Sequence, residues 1–90
     1  MHLHLGGHLG WYDPQKRSRL VIHLGEPILL SALLEQLEIP QAEIAVATIN
    51  RQAVELGRAQ VFDEDSVELF PPVGGGSRER RAGAANESID

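Results

Sequence analysis

The stretch Glu68-Leu69-Phe70-Pro71-Pro72-Val73-Gly74-Gly75-Gly76 decides the reading of this chain. An apolar strand runs into two prolines and then opens into a glycine thread. Neither proline can donate a ladder hydrogen bond, so strand pairing stops there, while their fixed φ keeps the segment extended. Consecutive glycines carry no Cβ and accept nearly any φ/ψ, so the backbone can pass between protein walls that would reject a side chain. A strand that ends this way projects its glycines away from the folded body. At roughly 3.3 Å per extended residue, Val73 to Gly76 reaches on the order of 13 Å, enough to enter a buried pocket in another protein.

Working back from that ending, the elements follow from local pattern. His2-Leu3-His4-Leu5 and Arg19-Leu20-Val21-Ile22-His23-Leu24 alternate with the period of half-buried strands. Gly6, Gly7, Gly10 and Asp13-Pro14 lie between them, which predicts a hairpin with a long loop. Leu30, Leu33, Leu34 and Leu37 recur at i, i+3, i+4 and i+7, the apolar stripe of a short helix with Glu35 and Glu38 toward solvent. Pro27 suits the approach to its first turn, and Pro40 forces its end. Ile44-Ala45-Val46-Ala47-Thr48-Ile49 is apolar on both faces and predicts a strand inside the sheet. Asn50-Arg51-Gln52 turns the chain into a short strand over Ala53-Val54-Glu55-Leu56. Gly57 and an acidic turn at Asp63-Glu64-Asp65 precede the last strand, Ser66 to Phe70. The order is β-β-α-β-β-β, an α+β fold with a mixed sheet of four to five strands covered on one face by one main helix.

Composition narrows the functions. Ninety residues make one domain with a modest core. The net charge is −5. Five cations, Lys16, Arg17, Arg19, Arg51 and Arg58, face ten carboxylates up to Gly76, whereas Ser77–Asp90 carries three of each sign. A body of this sign repels a phosphate backbone, so nucleic acid is not an expected partner and a basic protein surface is. No apolar run approaches the roughly 20 residues of a membrane span, and the N-terminus has no signal-peptide pattern; no membrane partner and a cytoplasmic location are expected. There is no cysteine. Disulfides, thiolate catalysis and cysteine metal sites are therefore excluded, and sulfur could be carried only on a terminal carboxyl converted to a thiocarboxylate.

The division expected is a folded domain over residues 1–73 and a glycine-rich, disordered tail over 74–90, whose single large apolar residue is Ile89. Taken alone, a glycine run also fits a plain linker. Other features have ordinary readings. His2 and His4 share a strand face with His8 and His23 elsewhere in the chain, but nothing identifies a second shell, and exposed histidines without metal are expected. Asp63, Glu64 and Asp65 lack calcium-loop spacing and read as a solvated turn. Arg78-Glu79-Arg80-Arg81 reads as solvating charge, with a protease-recognition patch or partner anchor as the sharper alternative. Trp11 and Tyr12 suit either a binding patch or a lid over the end of the core. No nucleophile with a positioned base can be assembled, so the chain is expected to be acted on, not to catalyse.

The elements and the ending resemble the MoaD/ThiS-type sulfur carriers, the ubiquitin-like β-grasp family containing the small subunit of molybdopterin synthase and the thiamine sulfur carrier. The resemblance spans residues 1 to 76. It rests on Leu33-Leu34-Glu35-Gln36-Leu37-Glu38-Ile39-Pro40, on the strand ending at Ile49-Asn50, on the acidic turn before Ser66-Val67-Glu68-Leu69-Phe70, and above all on Pro71-Pro72-Val73-Gly74-Gly75-Gly76. The resemblance implies that a ubiquitin-activating-type enzyme uses ATP and magnesium to adenylate the Gly76 carboxylate. Sulfur from a donor then displaces AMP, and the thiocarboxylate passes to a sulfur-accepting biosynthetic enzyme, for molybdopterin, thiamine or another metabolite. On this reading the chain binds no cofactor itself. Gly74 and Gly75 form the thread, and Phe70, Pro71, Pro72 and Val73 belong to the docking surface.

Two departures stand out. Family members usually end at the diglycine, whereas Gly76 is here joined to Ser77, and an amide carbonyl has no nucleophilic oxygen for the α-phosphate. Either a protease cuts between Gly76 and Ser77, such as a zinc metallopeptidase of the kind that processes some extended carriers, or the chain is an interaction-only adaptor. A third outcome of the same activation is conjugation to a substrate lysine, as in a ubiquitin-like modifier. The other departure is Asn50-Arg51, where related sequences often have Asn-Gly; only turn geometry is at stake there.

Overall fold

The computed structural model describes residues 1–72. Strands β1 (His2–Leu5) and β2 (Arg19–Val21) pair antiparallel through Leu3 and Leu20, as the alternation predicted. The second strand is shorter than its apolar alternation, although the Ile22 amide still donates to the Met1 carbonyl at 2.8 Å. The long connection is not an open loop: Gly7–Tyr12 forms a 3₁₀ helix. Next come β3 (Ile28–Leu29), helix α1 (Leu30–Gln36), a second 3₁₀ turn (Gln41–Glu43), β4 (Val46–Ile49), β5 (Gln52–Val54), β6 (Gln60–Val61) and β7 (Ser66–Phe70).

Five strands make one mixed sheet in the order β2-β1-β7-β4-β5. The parallel pair β1 and β7 lies at its centre, with Leu3 opposite Val67 and Leu5 opposite Leu69; the other pairings are antiparallel. Strand β4 is interior, as its apolar composition required. The fifth strand, expected over Ala53–Leu56, begins one residue earlier and ends at Val54. A separate two-stranded ribbon, β3 with β6, was not foreseen.

The helix covers one face. Leu30, Leu33 and Leu34 meet Leu3, Leu5, Val67, Leu69 and Ala47 in a single buried cluster, joined from the ribbon by Val61. The helix ends at Gln36, with Leu37, Glu38 and Ile39 between it and Pro40. Glu38 has a left-handed backbone (φ +60°). Its amide donates to the Glu35 carbonyl, and the Ile39 amide donates to the Leu34 carbonyl. That pair of bonds is a Schellman end, with buried Ile39 supplying the accompanying apolar contact.

The acidic turn is structural and not simply solvated. An Asp65 carboxylate oxygen accepts the Phe62 amide at 2.8 Å and the other accepts the Asn50 side-chain amide at 2.9 Å, while Asp63 accepts the Leu24 amide at 2.8 Å. These bonds, two from backbone N–H groups and one from the Asn50 side chain, fix the approach to β7. Burial would be costly without them, and Asp65 is indeed nearly buried.

Candidate functional site

The uncovered sheet face is built by alternation. Leu3, Leu5, Val67 and Leu69 point into the core, so His2, His4, Ser66, Glu68 and Phe70 point outward. Register places His4 beside Glu68, Thr48 on the other side of Glu68, and Val46 beside Phe70. The Thr48 hydroxyl donates to Glu68 Oε1 at 3.2 Å, and His4 Nδ1 lies 4.0 Å from Glu68 Oε2. The His4 ring meets the Phe70 ring edge to face at 6.3 Å. Val46 is 46% exposed. This gives a polar strip, His4, Glu68 and Thr48, running into an apolar corner, Phe70 and Val46, at the point where the chain leaves the sheet.

Phe70 is held from both flanks. Its carbonyl accepts the Ala45 amide at 2.8 Å, and the carbonyl before it, on Leu69, accepts the Gly6 amide at 2.8 Å. Pro71 is half-buried and Pro72 is exposed. The remaining residues expected at the site, Val73, Gly74, Gly75, Gly76 and Ser77, lie outside the described residues, as do the expected domain boundary and the Arg78–Arg81 patch.

The grouping of these residues was not legible in the sequence. His4 and Glu68 become neighbours only because β1 and β7 run parallel and in register, and Val46 reaches Phe70 only through the β4–β7 pairing. Alternation does put the two histidines of β1 on the solvent face, and that much was legible. His8 and Glu43, 35 residues apart, meet at 3.0 Å across the two 3₁₀ turns. Trp11 is 72% exposed, whereas Tyr12 packs against the core as the lid reading expected. Among the described residues no three His, Asp or Glu side chains gather as a metal site. No helix there is long and apolar enough to cross a membrane.

A buried carboxylate organises the connection between the first 3₁₀ helix and β2. Asp13 accepts the Arg17 side chain at 3.0 and 3.1 Å and the backbone amides of Arg17 and Gln15 at 2.9 and 3.0 Å. The Arg17 side-chain bonds, chiefly, together with those amides lower its pKa from 3.8 to about 2, against the opposing effect of burial. The same carboxylate thus closes the connection from the first 3₁₀ helix to β2.

A mixed sheet with a central parallel pair, one helix across it and a last strand that ends at two prolines is a ubiquitin-like β-grasp fold. The model of the ThiS family matches residues 9–76, most of the chain. The chain belongs to the ThiS family and shares its general character as a small sulfur carrier. No curated protein gives a significant match. Among solved structures, the NMR solution structure of a thiamine biosynthesis protein from Geobacter metallireducens is similar. The two share 25% identity and a TM-score of 0.50, over 90% of this chain and 95% of that one.

Proposed function

We propose that this chain is made as a precursor whose reactive end is the Gly76 carboxyl, freed by cleavage before Ser77. The observation that carries the reading is that the family match runs through the glycine thread and closes at Gly76. Once free, a carboxylate oxygen of Gly76 attacks the α-phosphorus of ATP held with magnesium on an activating enzyme, and pyrophosphate leaves. Hydrosulfide supplied by the donor then attacks the acyl carbon, the bond to the phosphate oxygen breaks to expel AMP, and loss of the sulfur-bound proton leaves a thiocarboxylate. This chain supplies no catalytic group to either step. Its part is to present Gly74 and Gly75 as a thread and to offer Phe70, Pro71, Pro72 and Val73, with Val46 and His4, as the surface against which the partner docks. A zinc metallopeptidase is the proposed maturing enzyme, a biosynthetic enzyme the sulfur acceptor, and the cytoplasm the compartment.

The similarity to a thiamine biosynthesis protein favours cofactor biosynthesis as the destination of the sulfur over protein conjugation. The single lysine, Lys16, also disfavours self-conjugated chains. The test is pyrophosphate release with the activating enzyme of the native host and magnesium ATP, comparing chains ending at Gly76 and at Asp90. The expected result is turnover of the shorter chain alone, abolished by removing Gly76. Equal turnover of both chains, or of neither, contradicts the proposal.

A further inference from the structure

The last described residues are held by a segment to which nothing above assigns a role. Gly6 and Gly7 end β1 and open the first 3₁₀ helix directly against the end of β7. The Gly6 amide bonds the Leu69 carbonyl. A Cβ at Gly6 would stand 3.0 Å from both that oxygen and Cδ1 of Phe70. The constraint at Gly7 is sharper. Its φ is +52°, and a Cβ there would fall 2.7 Å from Cγ and 3.3 Å from Cδ of Pro71. The proline ring is closed onto the backbone nitrogen, so its Cγ can shift only by puckering and cannot swing aside as a flexible side chain would. Any residue but glycine at position 7 therefore meets a left-handed backbone and a steric conflict with the first residue beyond the strand. Across the exit, the His8 imidazole N–H donates to Glu43 at 3.0 Å, and the Ala45 amide, two residues on, holds the Phe70 carbonyl.

We propose that Gly7 is a positioning residue for the carrier reaction: its bare backbone lets the 3₁₀ helix seat Pro71, and that seat sets the direction in which the chain departs toward Gly76. The proposal rests on the activation of Gly76 argued above. The role of Gly7 is geometric and acts through Pro71. A thread that must reach a buried nucleotide is sensitive to its launching angle, and misplacement of a reacting group by about 1 Å can cost on the order of a hundredfold in rate.

The discriminating variant is Gly7→Asn, because asparagine tolerates positive φ and leaves the contact with Pro71 as the main disturbance. Val54→Ala, on the far edge strand and packed against the core, serves as a destabilised control. Full-length wild type and both variants are produced in the native host and weighed intact, and the thiocarboxylate is scored as a share of chains ending at Gly76. In parallel, isotope-labelled full-length proteins report by NMR the proximity of residue 7 to the Pro71 ring. The expected result for Gly7→Asn is displaced Phe70 to Pro72 signals with a thiocarboxylate share reduced at least tenfold, while Val54→Ala keeps the wild-type share. A wild-type share in Gly7→Asn, an equal loss in Val54→Ala, or an unmoved Pro71 ring overturns the proposal. If wild type itself carries no thiocarboxylate, the sulfur reading fails separately. The NMR comparison then decides whether Gly7 seats Pro71: displacement supports the seat, and unchanged signals overturn it.

Discussion

Arg51 sits at φ +71° beside Asn50 at φ +51°, in the two-residue connection between Ile49 and Gln52. Two positive φ values are what a type I′ hairpin demands, and asparagine followed by glycine is its preferred filling. Arginine there has a Cβ working against the turn. Arg51→Gly should therefore raise stability by about 0.5–1 kcal/mol, the relief of left-handed strain being partly offset by greater freedom in the unfolded chain. Thermal melting checks this, with a rise of roughly 2–8 °C expected for a domain of this size. Asp13 gives a second prediction at the same scale. Its folded pKa, about 2, lies below the ordinary 3.8. The unfolded chain thus takes up the proton first as pH falls. The stabilisation is complete above about pH 4 to 5 and is lost as pH drops through 3.8 toward 2. Urea midpoints at pH 5.5 and 2.5 should show the gap between wild type and Asp13→Asn narrowing at the lower pH. A constant gap would contradict the assignment.

Elements with a periodic signal were readable, and those defined by distant pairing were not. The helix shows in Leu30, Leu33 and Leu34, all buried as the stripe required. Leu34 has no exposed surface and also supplies the carbonyl that closes the Schellman end. Leu34→Ala should cost about 2–5 kcal/mol by lost burial and cavity formation, a large share of what a small domain possesses, and denaturant titration measures it. Strand β1 was legible from its alternation, and β7 from an apolar run stopped by Pro71 and Pro72. The ribbon was not. Ile28–Leu29 and Gln60–Val61 are two-residue strands paired across more than thirty residues, too short to display a period. The first 3₁₀ helix was hidden for a different reason. Gly6, Gly7 and Gly10 signal a turn, but their use, admitting the helix against Phe70, Pro71 and the Arg17 backbone, depends on neighbours that only the folded sheet supplies. The same holds for the site: Phe70, Pro71 and Pro72 announce themselves in sequence, whereas Val46, His4 and Glu68 join them by register alone.

At the scale of the whole molecule, one face of the sheet is spent on the core and the other is left open beside the departing chain. The central parallel pair makes that arrangement work. It brings the first strand next to the last, so that Gly6 and Gly7, leaving β1, meet Leu69, Phe70 and Pro71 where the chain quits the sheet. The fold thus fixes where the chain quits the sheet, and in the proposed reaction the chemistry would belong to the enzymes that receive it. Because Gly76 is encoded in peptide linkage to Ser77, the central claim requires a shorter species in the cell. The intact mass of the protein isolated from its native host tests this most directly. A chain ending at Gly76, with a fraction heavier by the replacement of one oxygen by sulfur, is the predicted result; exclusively full-length protein ending at Asp90 would contradict it.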